Sequence, residues 1–197
     1  MILDRRHFLG GLPALLPAAA AASAEGAPRT RFYVFEQYFL EQGTQPARIH
    51  EFFSKALLPA MERVHKGPKI FLEAVMTPHL PQVAAILGVE SPEQVWSISK
   101  ALFADKEFSR AFDQWEAGEA PYLSASASLL EATDYSPEIV APAKPPATPR
   151  VFELRVYHSP TSRQNKALHQ RFSGAEIKIF HRVGVNPILY TDRKSVV

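Results

Sequence analysis

Residues 31–40, RFYVFEQYFL, alternate so that Tyr33, Phe35, Gln37 and Phe39 share one side while Phe32, Val34, Glu36, Tyr38 and Leu40 share the other. That period of two predicts a strand. Over 45–66 the period lengthens, with Ile49, Phe52, Phe53, Ala56, Leu57, Ala60, Met61 and Val64 at helical spacing, and an amphipathic helix is expected. KIFLEAVMT (69–77) and QVAAILGV (82–89) are apolar, β-branched runs punctuated by Pro78 and Pro81, which suits a strand pair. Ser91-Pro92-Glu93 then supplies an N-cap and a proline for a first helical turn, followed by Val95, Ile98, Leu102 and Phe103 on one face. A last strand is predicted over 122–133.

The order β-α-β-β-α-β defines a ferredoxin-like α+β unit over about 30–135, an antiparallel sheet with both helices on one face. The largely apolar set Tyr33, Phe35, Gln37 and Phe39 is expected beneath the helices. The Glu36 and Tyr38 side is expected to face away, toward a second sheet.

The chain also repeats itself. Shifted by 119 residues, 31–68 pairs with 150–187 without a gap, and ten positions are identical, among them Tyr38/Tyr157, His50/His169, Phe53/Phe172 and Pro68/Pro187. An internal duplication is the reading. Between the copies, 136–149 holds five prolines and reads as a semi-rigid linker. The second copy (150–191) offers a strand (150–158), a helix (about 163–182) and the start of a strand at NPILYT (186–191). Nothing after it matches residues 73–133. The final DRKSVV (192–197) is expected to be a non-native tail, because it has no counterpart in the first copy and matches the translation of a common sequencing adapter. Such a partial unit has an open edge and little core, so it should pack on the first unit or fray and favour aggregation.

At the other end, Arg5-Arg6 precedes an apolar, Ala-rich stretch too short and Pro-broken to span a bilayer, ending in Ala22-Ser23-Ala24. A signal peptide over 1–24, cleaved after Ala24, is expected. The order Arg-Arg-His-Phe-Leu-Gly resembles a twin-arginine export signal, with Asp4 where Ser or Thr is commoner. That resemblance implies a periplasmic protein exported already folded.

Without this leader, 20 Lys and Arg face 19 Asp and Glu, and there is no basic run. Neither nucleic acid nor an anionic membrane surface is an expected partner, and the mature chain is expected to lack an integral membrane segment. Cysteine is absent, which excludes disulfides, thiolate nucleophiles and Cys-ligated metals.

FELRVY (152–157) with its following helix, and ALFADKEF (101–108) after the Ser-Pro-Glu helix start, resemble the NIPSNAP family of the dimeric α+β barrel superfamily, over essentially the whole mature chain. The resemblance implies a barrel of two sheets with a ligand cavity between them, and no defined reaction. Homo-oligomerisation and a small, mostly apolar ligand would suit such a barrel. Glu36, Tyr38, Glu153, Arg155 and Tyr157 are then the candidate ligand-binding residues, because they share the inward side of the two leading strands. A bland alternative stands beside this reading: Glu36 and Arg155 occupy equivalent positions and could form a polar layer that fixes register. No catalytic residue can be assigned. No cofactor or metal is expected, since His50 and His169 are each followed at i+4 by serine, and hydrolase or phosphate-loop motifs are missing. His50 and His169 could face a cavity or cap a helix flank, but they, like His65, His79 and His181, are expected to serve structure or surface, and Trp96 and Trp115 to anchor the core or an interface. The rival reading is a cofactor-free monooxygenase or isomerase; a third is a purely structural, dimerising module.

Overall fold

The computed structural model describes residues 30–136, 138–139, 147–148 and 150–196, without the side chains of Ser195 and Val196. The expected signal peptide and most of the proline linker lie outside these residues. The chain forms two units, one made of the residues up to Ala132 together with Asp192 onward, the other of Thr133–Thr191.

In the first unit the elements run β1 (Phe32–Phe39), α1 (Thr44–Phe52), a π-helical turn (Phe53–Leu57), α2 (Leu58–Val64), β2 (Lys69–Glu73), β3 (Gln82–Val89), α3 (Pro92–Ala104), α4 (Lys106–Glu116) and β4 (Ser124–Ala132). The sheet order is β2-β3-β1-β4-β5, where β5 is Thr191–Val196. The α+β class and the ferredoxin-like strand order are therefore observed. β2 stops at Glu73, short of the expected Thr77, and two prolines without N–H groups punctuate the stretch before β3. Residues 192–196, within the expected non-native tail, run as strand β5 beside β4.

β1 is the central strand, antiparallel to both β3 and β4, with Val34 opposite Leu87 and Leu129 and Tyr38 opposite Val83 and Ala125. Those registers put Val34, Glu36, Tyr38, Val83, Ala85, Leu87, Ala125 and Leu129 on one face. The helices cover that face. Val34, Tyr38 and Leu40 pack in one cluster with Ile49, Phe52, Phe53, Leu57, Met61, Ile98, Leu102 and Phe112. The expected orientation of β1 is thus reversed: Glu36 and Tyr38 lie beneath the helices, and Tyr33, Phe35, Gln37 and Phe39 occupy the opposite side.

A helix that the sequence reading missed completes the layer. Asp105 stops α3 and starts α4, its Oδ1 accepting the N–H groups of Glu107 at 3.0 Å and Phe108 at 3.1 Å. Arg63 of α2 donates to the other carboxylate oxygen at 2.9 Å. The hydrogen bond from Arg63, with those backbone bonds, holds the Asp105 carboxyl below its usual range. Phe108, Phe112 and Trp115 recur at helical spacing and are buried. Trp115 stacks flat on Phe52 with ring centroids 4.2 Å apart, which anchors α4 to α1 as expected of a core tryptophan.

In the second unit α5 (Ser162–Arg171), a second π-helical turn (Phe172–Glu176) and α6 (Ile177–Arg182) fill the predicted helix. The two π turns, FSKAL and FSGAE, fall at the same 119-residue offset as the sequence repeat. Residues 150–158, expected to be a strand, form none, and 186–190 are likewise irregular. β1, which stands at the 119-residue offset from 150–158, is held by ladders on both edges, whereas 150–158 joins no ladder among the described residues. A central strand without neighbours has no hydrogen-bond partners to define it. An aromatic group gathers around the second π turn, Phe172 lying 5.3 Å from Tyr157 and 4.9 Å from Tyr190. Among the described residues no helix is long and apolar enough to cross a membrane.

Candidate functional site

A concavity of the first unit lies between the helix layer and the sheet. Its helical wall is Phe53, Leu57 and Met61, its sheet wall Val34, Phe71, Ala85, Ile86 and Leu87, and its two charged residues are Glu36 and Lys69. The space is about 30 Å³, room for a water molecule or a very small ligand group. Phe53 and Leu57 bound the first π turn, and such turns occur chiefly as single-turn insertions, often at functional sites.

Glu36 is placed there by the sheet. As an alternate residue of the central strand, it shares the covered face with Tyr38, and the Tyr38 hydroxyl donates a 2.7 Å hydrogen bond to Glu36 Oε2. Tyr38 is itself fully buried, its ring meeting Phe53 and Tyr122 edge-on at 5.6 and 5.4 Å. It stands behind the carboxylate and positions it. Lys69 is nearly buried; its Nζ donates to the carbonyls of His65 and Gly67 and pairs with Glu62 at 3.1 Å. A cation at these carbonyls complements the C-terminal end of α2.

The remaining candidates are found elsewhere. Glu153 and Arg155 bind each other at 2.8 Å on the exposed segment 150–158, and Tyr157 meets Phe172 edge-on. The hydrogen bond from Arg155 holds the Glu153 carboxyl below its usual range, and the same bond raises Arg155. Each expected residue finds its partner within its own unit, Glu36 with Tyr38 and Arg155 with Glu153. Lys69 was missed because a lysine at a strand start carries no sequence signal of burial.

The two histidines that share the 119-residue offset diverge. His50 is half-exposed, 3.7 Å from Glu73, whereas His169 Nδ1 lies 2.8 Å from the Tyr135 hydroxyl. His79 is bonded to the Leu40 carbonyl at 3.0 Å. His65 closes the end of the cleft helix: its Nε2–H donates to the Gly88 carbonyl at 2.8 Å, and a Cβ on Gly67 would lie 2.4 Å from that same nitrogen, so the approach requires glycine.

Burial pulls the His65 pKa down, outweighing the raising effect of the Gly88 carbonyl. The unfolded chain then binds the proton more readily than the folded one, so His65 contributes its full stability above the ordinary pKa of 6.5 and loses it as pH falls toward the lower folded value. Urea unfolding from about pH 8 to pH 5 should show stability declining below about pH 6.5. His65→Gln should flatten that part of the profile; an unchanged slope would assign the decline to other groups.

No protein-family model matches this chain, and no curated protein matches it. Among solved structures, a NIPSNAP family protein from Agrobacterium tumefaciens is similar at 14% identity and TM-score 0.49, covering 59% of this chain and 97% of its own. A NIPSNAP-like domain protein from Burkholderia xenovorans is similar at 18% identity and TM-score 0.48, covering 60% of this chain and 98% of its own. A second Agrobacterium tumefaciens NIPSNAP family protein, described as of unknown function, shares 14% identity at TM-score 0.48, over 56% of this chain and 96% of its own.

Proposed function

We propose that this is an exported, NIPSNAP-like α+β protein with a duplicated unit, and that it binds a small, mostly apolar molecule in the cleft between helix and sheet. The observation that carries the proposal is a carboxylate, Glu36, lining an otherwise largely apolar cleft and held by the Tyr38 hydroxyl at 2.7 Å. Burying a carboxylate in apolar surroundings is costly, and proteins place such groups where they orient a ligand or move a proton. The ligand would present a hydrogen-bond donor to Glu36 and an apolar body to Phe53, Leu57 and Leu87. The small volume selects for a compact ligand group or for an opening of the helix wall at the π turn.

Native mass spectrometry of the protein recovered from the periplasm reads both parts of the proposal. The chain should begin at Glu25 and carry a small-molecule adduct. Ala85→Met, which fills the cleft from the sheet side, should abolish the adduct while leaving the fold intact by circular dichroism. Absence of an adduct from the native protein, or its survival in the filled variant, would remove the cleft as the binding site.

The same hydrogen bond supports the second reading, a cofactor-free enzyme in which Glu36 acts as general base and Tyr38 tunes it. That reading requires turnover, which binding alone does not.

A further inference from the structure

We infer that residues 151–157 are a self-complementary pairing strand, through which two copies of this chain associate antiparallel about a two-fold axis at Leu154. The segment VFELRVY is built from strand-forming residues yet is left in the open: Val151 is 82% exposed, Leu154 65% and Val156 60%. Among the described residues it joins no strand ladder. At the repeat offset it corresponds to β1, which carries an antiparallel neighbour on each edge. A β-branched, aromatic segment that joins no ladder among the described residues is a template for pairing with another chain.

The charges choose the occupant. In an antiparallel pair centred on Leu154, Glu153 lies opposite the partner's Arg155, and Arg155 opposite the partner's Glu153. Phe152 then faces the partner's Val156, and Val151 the partner's Tyr157. Opposite charges and aromatic with β-branched pairs are the favourable cross-strand combinations. Centring instead on residue 153 sets Glu against Glu, and centring on 155 sets Arg against Arg. An intermediate register sets charge against Leu154 or Phe152. Only the Leu154 register satisfies both copies.

The geometry within one copy prepares this pairing. Glu153 and Arg155 already lie on one side, bonded at 2.8 Å, and Tyr157 is fastened to Phe172 at 5.3 Å with Arg171 over its ring. That side is held against the helix while the backbone edge stays accessible.

Sedimentation velocity of the full mature chain at micromolar concentrations tests the inference by charge reversal. The native chain should dimerise; Glu153→Arg alone and Arg155→Glu alone should each weaken association at least tenfold; and the double reversal should restore it. The three variants carry changes only at exposed positions, so folding is not at stake. Leu154→Cys gives an independent reading, because the chain has no other cysteine. Mild oxidation should yield a covalent dimer through residue 154, and the same substitution in the Glu153→Arg background should not. A native chain that is monomeric, single reversals that dimerise as well as the native chain, or a double reversal without rescue would each overturn the inference. So would protection of 151–157 from hydrogen exchange in a monomer, which would place the segment on its own chain.

Discussion

Phe112→Ala is expected to lower the stability of the first unit by about 3–5 kcal/mol. Phe112 is fully buried on α4 and meets four rings, Phe52, Phe103, Phe108 and Trp115, with centroids between 5.1 and 6.0 Å. Truncation removes the ring's transfer energy and leaves a cavity between helices that cannot both close upon it. Each favourable ring pair contributes about 0.5–1.5 kcal/mol beyond area burial, so the loss should sit in the upper part of the range. Domains of this size are held by about 5–15 kcal/mol, and the variant should be near the edge of folding at 37 °C. Urea denaturation checks it, with Phe112→Leu as the control that keeps most of the volume. A loss under about 1 kcal/mol would mean that α4 is not packed as described.

The second large effect concerns the site. Tyr38→Phe keeps the ring among Phe53 and Tyr122 but removes the hydroxyl that donates to Glu36. A buried hydrogen bond to a charged group contributes about 1.5–3 kcal/mol, and the variant should lose that much stability near neutral pH. Glu36→Gln in the Tyr38→Phe background should recover part of the loss, since the charge that needed the phenol is gone. A double-mutant cycle measures the coupling, and additive effects would show that the pair does not act as a unit. The same cycle separates the two functional readings. If Glu36 is a general base, Tyr38→Phe should reduce turnover and shift its pH profile in protein that remains folded; if the cleft only binds, ligand affinity alone should change.

How much of this was legible in the chain follows from which forces are local. The strands β1, β3 and β4, the helix over 45–66 and the Ser-Pro-Glu start of α3 were all readable, because period, caps and proline act within a few residues. α4 is legible too, from Asp105 ahead of Phe108, Phe112 and Trp115 at helical spacing, but no helix was expected between Phe103 and the strand at 122. Glu36 and Tyr38 were picked out correctly as neighbours on one side of a strand. Which way that side faced was misjudged, because both sides of β1 are rich in aromatic residues and alternation names two faces without ranking them. The serines of β4 held the missing clue: Ser124, Ser126 and Ser128 alternate with Ala125, Ala127 and Leu129, but their bearing on β1 depends on register.

Residues 150–158 show the limit most clearly. Their pattern is that of β1, and their sequence alone determined a propensity to be a strand, as it determined the helix behind them and the self-complementary order of their charges. Whether the propensity is realised was decided by tertiary structure, since β1 has β3 and β4 to satisfy its backbone and 150–158 has no such neighbours among the described residues. The same division holds for the site. The residues and their period are written in the chain, while burial, the covered face and the 2.7 Å contact exist only once long-range pairing brings the helices down on one side of the sheet. Side-chain period is a property of neighbours along the backbone, and facing is a property of elements far apart in it.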